Sequence, residues 1–340
     1  MDTAGSGACP EATVLSMALD KARANKTPID WAGYTPPKPK FIGRRVFRNY
    51  DLAELAQCID WAPFFQTWDL AGPYPAILDD EIVCEQAKRV FADAQLMLKK
   101  IVEGRWLSAN AVLGLYPANS VGDDIELYAD DSRTQVALTW HGMRQQTEKQ
   151  EIDGVMRPSR CLSDFVAPQG SGVADYVGLF AVTAGIGADK RAEAFEAAQD
   201  DYSAIMLKAL ADRLAEAFAE CLHQRVRTDL WGYAPHEALS REQLIAEQYQ
   251  GIRPAPGYPA CPDHSVKRAM FDLLHCEDIG MGLTDSLAMT PAASVSGFYL
   301  AHPDSCYFNV GKIGRDQLQD MAARRGLPEA ELERLLAPNL

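Results

Sequence analysis

AVLGLYP at 111–117, IELYAD at 125–130 and QVALTW at 135–140 decide the fold. Each is a short, apolar-rich run of strand length, and DDSR (130–133) supplies a turn between the last two. Closely spaced runs joined by turns predict antiparallel hairpins. YVGLFAVT (176–183) is apolar without a break, which predicts a strand buried on both faces. SVSGFYLA (294–301) and CYFNVG (306–311) read as two further strands.

Helical patterns surround these runs. DLAELAQCIDWAPFFQTW (51–68) places Leu55, Ile59 and Trp61 among its apolar positions, with a break expected at Pro63. DDEIVCEQAKRVFADAQLMLKKIVE (79–103) carries acids at its start and lysines at its end, which suits the helix dipole. A long helix or helix pair is expected from about 190 to 227, another helix at about 265–276, and two short helices in DQLQDMAARR and PEAELERLLA. Strands gathered as hairpins between long helices predict an α+β fold rather than an alternating parallel sheet. Residues 1–45 are a poor core, rich in proline and aromatic residues towards their end, and are expected to be an arm or linker. Residues 46–340 are expected to form the domain proper.

The composition of the 340 residues is that of a globular protein, 47% hydrophobic and 24% charged. A formal charge of −14 argues against a nucleic-acid or anionic-membrane surface, both of which attract basic patches. No apolar run approaches the roughly 20 residues that cross a bilayer, and no secretory signal is apparent. Eight cysteines, Cys9, Cys58, Cys84, Cys161, Cys221, Cys261, Cys276 and Cys306, are scattered without a CxxC pair. A reduced, cytoplasmic protein is the expectation.

Several motifs invite chemistry. Gly185 and Gly187 follow the 176–183 run, but the third glycine of a dinucleotide fingerprint would fall on Lys190, so a tight turn is the better reading. Cys261, His264, His275 and Cys276 lie close in sequence without zinc-site spacing, which favours structural cysteines and a capping histidine over a metal. Asp212, Glu216 and Glu220 recur every fourth residue on one helix face, opposite Leu210, Leu214, Phe218 and Leu222. A solvated face is the favoured reading of that stripe; a carboxylate surface that attracts a cation is the alternative. No GxSxG elbow or Ser/His/Asp arrangement stands out. RPAPGYPACPDH (253–264) is stiffened by its prolines, so it is either a rigid connector or a prebuilt ligand wall holding Arg253 and Tyr258. Adjacent Tyr307 and Phe308 sit mid-strand in CYFNVG, so one ring is expected on each side of the sheet.

Longer stretches add a resemblance. KARANKTPIDWAGYTPP (21–37), IDWAPFFQTW (59–68), YPANSVGDDIELY (116–128), RQQTEK (144–149), LSDFVAP (162–168) and ADYVGLFAVTAG (174–185) are similar to the C-terminal activation domain of cobalamin-dependent methionine synthases. The resemblance continues through DDYSAIMLKALADRLAEAFAE (200–220), YQGIRPAPGYPACPDH (249–264), ASVSGFYLAHPDSCYF (293–308) and ERLLAPNL (333–340). It implies a single C-shaped α+β domain with a twisted antiparallel sheet flanked by long helices. It also implies a function: binding S-adenosylmethionine and supporting reductive methylation of cob(II)alamin to methylcobalamin. The cobalamin would come from a separate domain or subunit, and the electron from flavodoxin or a flavoprotein reductase.

By the same resemblance, Asp60 of the IDW motif meets the ligand's amino group. Arg253 grips its carboxylate, Tyr307 and Phe308 flank the adenosine, and Glu216, Glu247 and Tyr258 lie near the sulfonium or the corrin side. No metal ligand is implied. The chain lacks the DxHxxG cobalamin motif and the homocysteine and folate barrels, so it is expected to be a methyltransferase component incomplete alone, whether a split subunit or an excised domain. Docking to or reductively activating a different corrinoid protein is the alternative. A stand-alone methyltransferase is disfavoured by the missing Rossmann fingerprint.

Overall fold

The computed structural model describes residues 17–148, 151–152 and 154–340. Cys9, the N-terminal lead and the last residue of RQQTEK lie outside them. The strands are β1 (Gly43–Phe47), β2 (Ser108–Val121), β3 (Asp124–Tyr128), β4 (Val136–Trp140), β5 (Glu151–Ile152), β6 (Val155–Met156), β7 (Asp175–Ile186), β8 (Gly282–Leu283), β9 (Met289–Thr290) and β10 (Ser294–Tyr299). The main antiparallel sheet runs β10-β7-β2-β3-β4, with β1 also paired to β2. β5–β6 and β8–β9 are separate two-residue hairpins.

The centre of the sheet is the β2–β7 pair, in register from Asn110 opposite Thr183 to Ala118 opposite Asp175, with a register shift between Ser108 and Asn110. Both strands are buried almost throughout, because alternate side chains enter two different cores. Ala111, Leu113 and Leu115 join Phe180 and Val182 in one core; Val112, Tyr116 and Ala118 join Leu179 and Ala181 in the other. That two-sided burial is the physical meaning of the uninterrupted apolar run at 176–183.

Helices cover the first face: α2 (Leu52–Gln57), α3 (Ala62–Thr67), α4 (Cys84–Glu103), α5 (Ala188–Ala197) and α6 (Asp201–Arg225). Asp200 caps α6, its carboxylate accepting the Ser203 N–H at 3.0 Å. Leu210, Leu214, Phe218 and Leu222 are all buried, as their spacing requires. The second face is covered by α8 (Val266–Leu274) and the loop before it. α1 (Leu19–Ala24), α9 (Arg315–Arg325) and α10 (Glu329–Leu335) lie at the chain ends, and α7 (Arg241–Ile245) is a short surface turn with a capping box. Arg23 of α1 is tied to Asp123 at 2.8 Å and Asp320 at 2.7 Å. β1 straddles the expected boundary between arm and domain.

Four expectations are corrected. The 51–68 helix is two helices broken at Cys58–Trp61, where the Asp60 carboxylate accepts the Ala62 N–H; Pro63 sits in the first turn of α3, where a missing N–H is harmless. The helix expected at 79–103 begins only at Cys84, after a turn in which Asp80 accepts the Ile82 and Val83 N–H groups. CYFNVG is not a strand: its Val310 N–H donates to Pro259 O at 2.9 Å, so the segment follows the proline-rich loop instead of the sheet. The acidic stripe is not uniformly solvated, since only Asp212 is exposed while Glu216 and Glu220 are half-buried.

Candidate functional site

The site is built where the 253–264 loop crosses the edge of β10. Ile252 and Leu300 exchange backbone hydrogen bonds at 2.9 and 3.0 Å, and Phe298 N–H donates to Pro254 O at 2.9 Å. Arg253 is therefore clamped to the sheet through the residue on each side of it. Beyond it the loop turns at Gly257, whose φ is +93° and whose N–H donates to Cys261 O at 2.8 Å. A Cβ at Gly257 would overlap the His264 ring, so backbone conformation and space both favour glycine.

This loop forms one wall of a cavity of about 500 Å³. Phe180, Val295 and Pro254 supply apolar lining, Tyr258 stands at its exposed edge, and Tyr307 and Phe308 both line it. Because the 306–311 segment is not a strand, the two rings are not sent to opposite faces. An adjoining cavity of about 370 Å³ shares Glu216, Glu247 and Arg253 with the first and adds Asp60, Glu220 and Cys58. The structure thus brings together around one trough all seven residues named from the sequence: Asp60, Glu216, Glu247, Arg253, Tyr258, Tyr307 and Phe308.

Arg253 is the hub. Its Nη2 is 2.7 Å from Glu220 Oε2, and its Nη1 lies 3.1 Å from His223 Nδ1 and donates to the Tyr249 hydroxyl at 3.0 Å. Its backbone N–H donates to the Tyr307 hydroxyl at 3.0 Å, and that hydroxyl is 3.0 Å from the Tyr249 hydroxyl. Two tyrosines and one arginine close a ring of hydrogen bonds that fixes the guanidinium plane. Nε takes no hydrogen-bond partner among the described residues, so the fork keeps a donor for an anion.

The electrostatics suit this arrangement. Burial, reinforced by the Arg253 and Arg227 charges, pushes the fully buried His223 imidazole well below its ordinary value. A neutral ring accepts from Arg253 at Nδ1 and donates from Nε2 towards the Tyr233 hydroxyl, 3.3 Å away. Burial opposes charge on Arg253 as well, but Glu220 and the surrounding tyrosine oxygens outweigh it and the guanidinium is held more firmly protonated. Glu247 is raised by burial and by Glu220, against the pull of Arg253, and its backbone is left-handed at φ +55°. The second oxygen of Glu220 is buried without a hydrogen-bond partner among the described residues and lies 3.9 Å from Arg227 Nη2.

Three members of this cluster escaped sequence reasoning. In the sequence Glu220 stands out only as part of a stripe, although its spacing from Glu216 puts both on one face of α6. His223, three residues further on, has no motif and is found only because α6 buries it. Tyr249 lies in a loop, where no periodicity shows which way a ring points. The remaining motifs go elsewhere. Gly187 sits at φ +93° at the N-terminus of α5, the tight turn expected there. Cys261 accepts from Trp140 Nε1 and Cys276 is buried, whereas His264 and His275 are exposed. Among the described residues no three His, Cys, Asp or Glu side chains are grouped to hold a metal, and no helix is long and apolar enough to cross a membrane.

Residues 51–326 match the family described as vitamin B12 dependent methionine synthase, activation domain. A crystal structure of the MetH reactivation domain bound to AdoHcy is 54% identical to this chain, with a TM-score of 0.91. That likeness covers 96% of this chain and 98% of that one.

Proposed function

The chain belongs to the activation-domain family of vitamin B12-dependent methionine synthases, and from that premise we propose that its trough holds S-adenosylmethionine. The residues present fit that ligand. Its amino acid part is a zwitterion beside a sulfonium, which calls for one anion-binding fork within a negative surround. Arg253 provides the fork, with Asp60, Glu216, Glu220 and Glu247 around the same cavity. Its purine calls for a flat, largely apolar wall, which Tyr307, Phe308 and Pro254 line.

When bound, S-adenosylmethionine supplies an electrophilic methyl group. The chain's own residues bind and orient. Asp60 takes the amino group, and Arg253 takes the carboxylate while Glu220 and His223 hold the guanidinium in place. Glu216, Glu247 and Tyr258 border the sulfonium end. No residue here is assigned a proton transfer, because transfer of a methyl group from a sulfonium needs none. In this reading residues 46–340 form the ligand-holding domain and residues 1–45 an arm. The cobalamin is brought by another domain or subunit, and the electron by flavodoxin or a flavoprotein reductase.

The observation that carries this reading is the meeting of one clamped arginine, four carboxylates and an aromatic pair around a single trough. The test is spectroscopic. The chain is mixed with the cobalamin-binding fragment, S-adenosylmethionine and a low-potential reductant, and the cob(II)alamin absorption is followed. Conversion to the methylcobalamin spectrum is expected; an unchanged spectrum with all components present would contradict the reading.

A further inference from the structure

Cys58 and Cys221 meet at the floor of the trough. The Sγ atoms of Cys58 and Cys221 are 2.7 Å apart, in direct contact, joining the C-terminal cap of α2 to α6. Cys58 lines the cavity and is half-buried, whereas Cys221 lies behind it, 6% exposed. Cys58 is two residues before Asp60 and Cys221 is the neighbour of Glu220, so the pair ties together two acid-bearing walls. From this placement we propose that Cys58 and Cys221 are a redox modification site, forming a reversible disulfide that controls the trough.

The division of labour follows from exposure. Contact with the Cys221 thiol, together with the Arg241 charge, lowers the Cys58 pKa against the effect of burial. Cys58, the thiol that reaches the cavity, is the attacking sulfur, and Cys221, buried behind it, is the resolving thiol. The oxidant is a small-molecule disulfide that enters through the cavity. Cys58 attacks one of its sulfurs, the S–S bond breaks, and one small thiol leaves with the electron pair and takes up a proton. Cys221 then loses its proton and attacks the Cys58 sulfur, expelling the second small thiol. Two protein thiols are oxidised and one small disulfide is reduced to two thiols. Cys161 and Cys261 do not compete, because complete burial pushes both thiols up to about 12.

The control of ligand binding rests on the function proposed above. A covalent link draws the Cys58–Trp61 turn onto α6 and narrows the space between Asp60 and Glu220. The oxidised chain is expected to bind S-adenosylmethionine roughly tenfold more weakly, a common size for coupling between two events on one protein.

The experiment treats the folded full chain with glutathione disulfide, quenches with an alkylating agent and maps the peptides. The expected result is a Cys58–Cys221 cross-linked peptide that dithiothreitol reverses and that neither C58S nor C221S can form. Recovery of both cysteines alkylated, or of Cys58 as a lasting mixed disulfide with glutathione, overturns the inference whatever the ligand does. Titration with S-adenosylmethionine then separates the claims. A cross-linked chain that binds as tightly as the reduced one overturns control of the trough. A reduced chain that cross-links but never binds overturns the proposed function and leaves the disulfide standing.

Discussion

Arg253 Nη2 lies 2.7 Å from Glu220 Oε2, an ion pair that fastens the proline-rich loop to α6, with each side chain only about one-fifth exposed. At that depth a lone guanidinium is unfavourable, and a lone carboxylate equally so. The pair therefore sets the shape of the trough before any ligand enters, and it leaves the Arg253 Nε donor for a ligand.

Replacing Glu220 by glutamine removes the countercharge while keeping the shape. E220Q is expected to lose roughly 1–3 kcal/mol of stability, the ordinary cost of leaving a buried polar group without its full partner. Urea unfolding of the variant beside the wild-type chain measures it. A stability unchanged within error would mean that the pair does not organise the loop.

Tyr307 is expected to act through its hydroxyl as well as its ring. Y307F deletes the acceptor of the Arg253 N–H and the contact with Tyr249 while leaving the ring against the cavity. About 1 kcal/mol of stability should go, the usual net worth of such a hydrogen bond. Ligand affinity should fall less than in Y307A, which also removes the aromatic wall. Equal affinities for the two variants would deny the ring its role.

His223 predicts a pH dependence. Folding holds it neutral with its pKa well below the ordinary 6.5, so below about pH 6.5 the unfolded chain binds a proton that the folded chain refuses. Stability should therefore fall as pH drops from about 6.5 towards the folded pKa, by at most about 1.4 kcal/mol per pH unit from this group. H223Q retains an acceptor but cannot titrate, so wild-type stability minus variant stability should decline across that window. Parallel curves between pH 7 and pH 5 would show that His223 is not the group responsible.

Gly257 is the hinge of the wall. G257A forces a Cβ onto the His264 ring at a φ of +93°. The variant should lose more than about 1 kcal/mol, because steric overlap adds to the backbone strain of a left-handed alanine. Thermal unfolding checks it, and a variant as stable as the parent would mean that the loop is free to shift.

The sheet was legible because its two central strands must be apolar on both faces, and 176–183 carries that requirement in plain residues. The helix breaks were less so. The turn at Cys58–Trp61 depends on an Asp60 side-chain bond to the Ala62 N–H, and Pro63, further along the pattern, draws attention to the wrong place. CYFNVG has strand composition, yet its partner is the loop at Pro259, a long-range pairing that no local pattern encodes. The seven site residues were found through family resemblance. Residue chemistry alone marked the loop as rigid and the α6 acids as a stripe, without joining them. The third component, the His223–Arg253–Tyr249 contact, exists only after the fold brings a helix, a loop and a sheet edge together.

The most direct measurement of the central claim is calorimetric titration of the folded chain with S-adenosylmethionine, in parallel with R253A and R253K. Saturable binding is expected for the wild-type chain. R253A should bind far more weakly, and R253K should recover little of the loss, since a point charge cannot reproduce the planar fork. Binding by R253A as tight as the wild type, with both chains folded, would contradict the account.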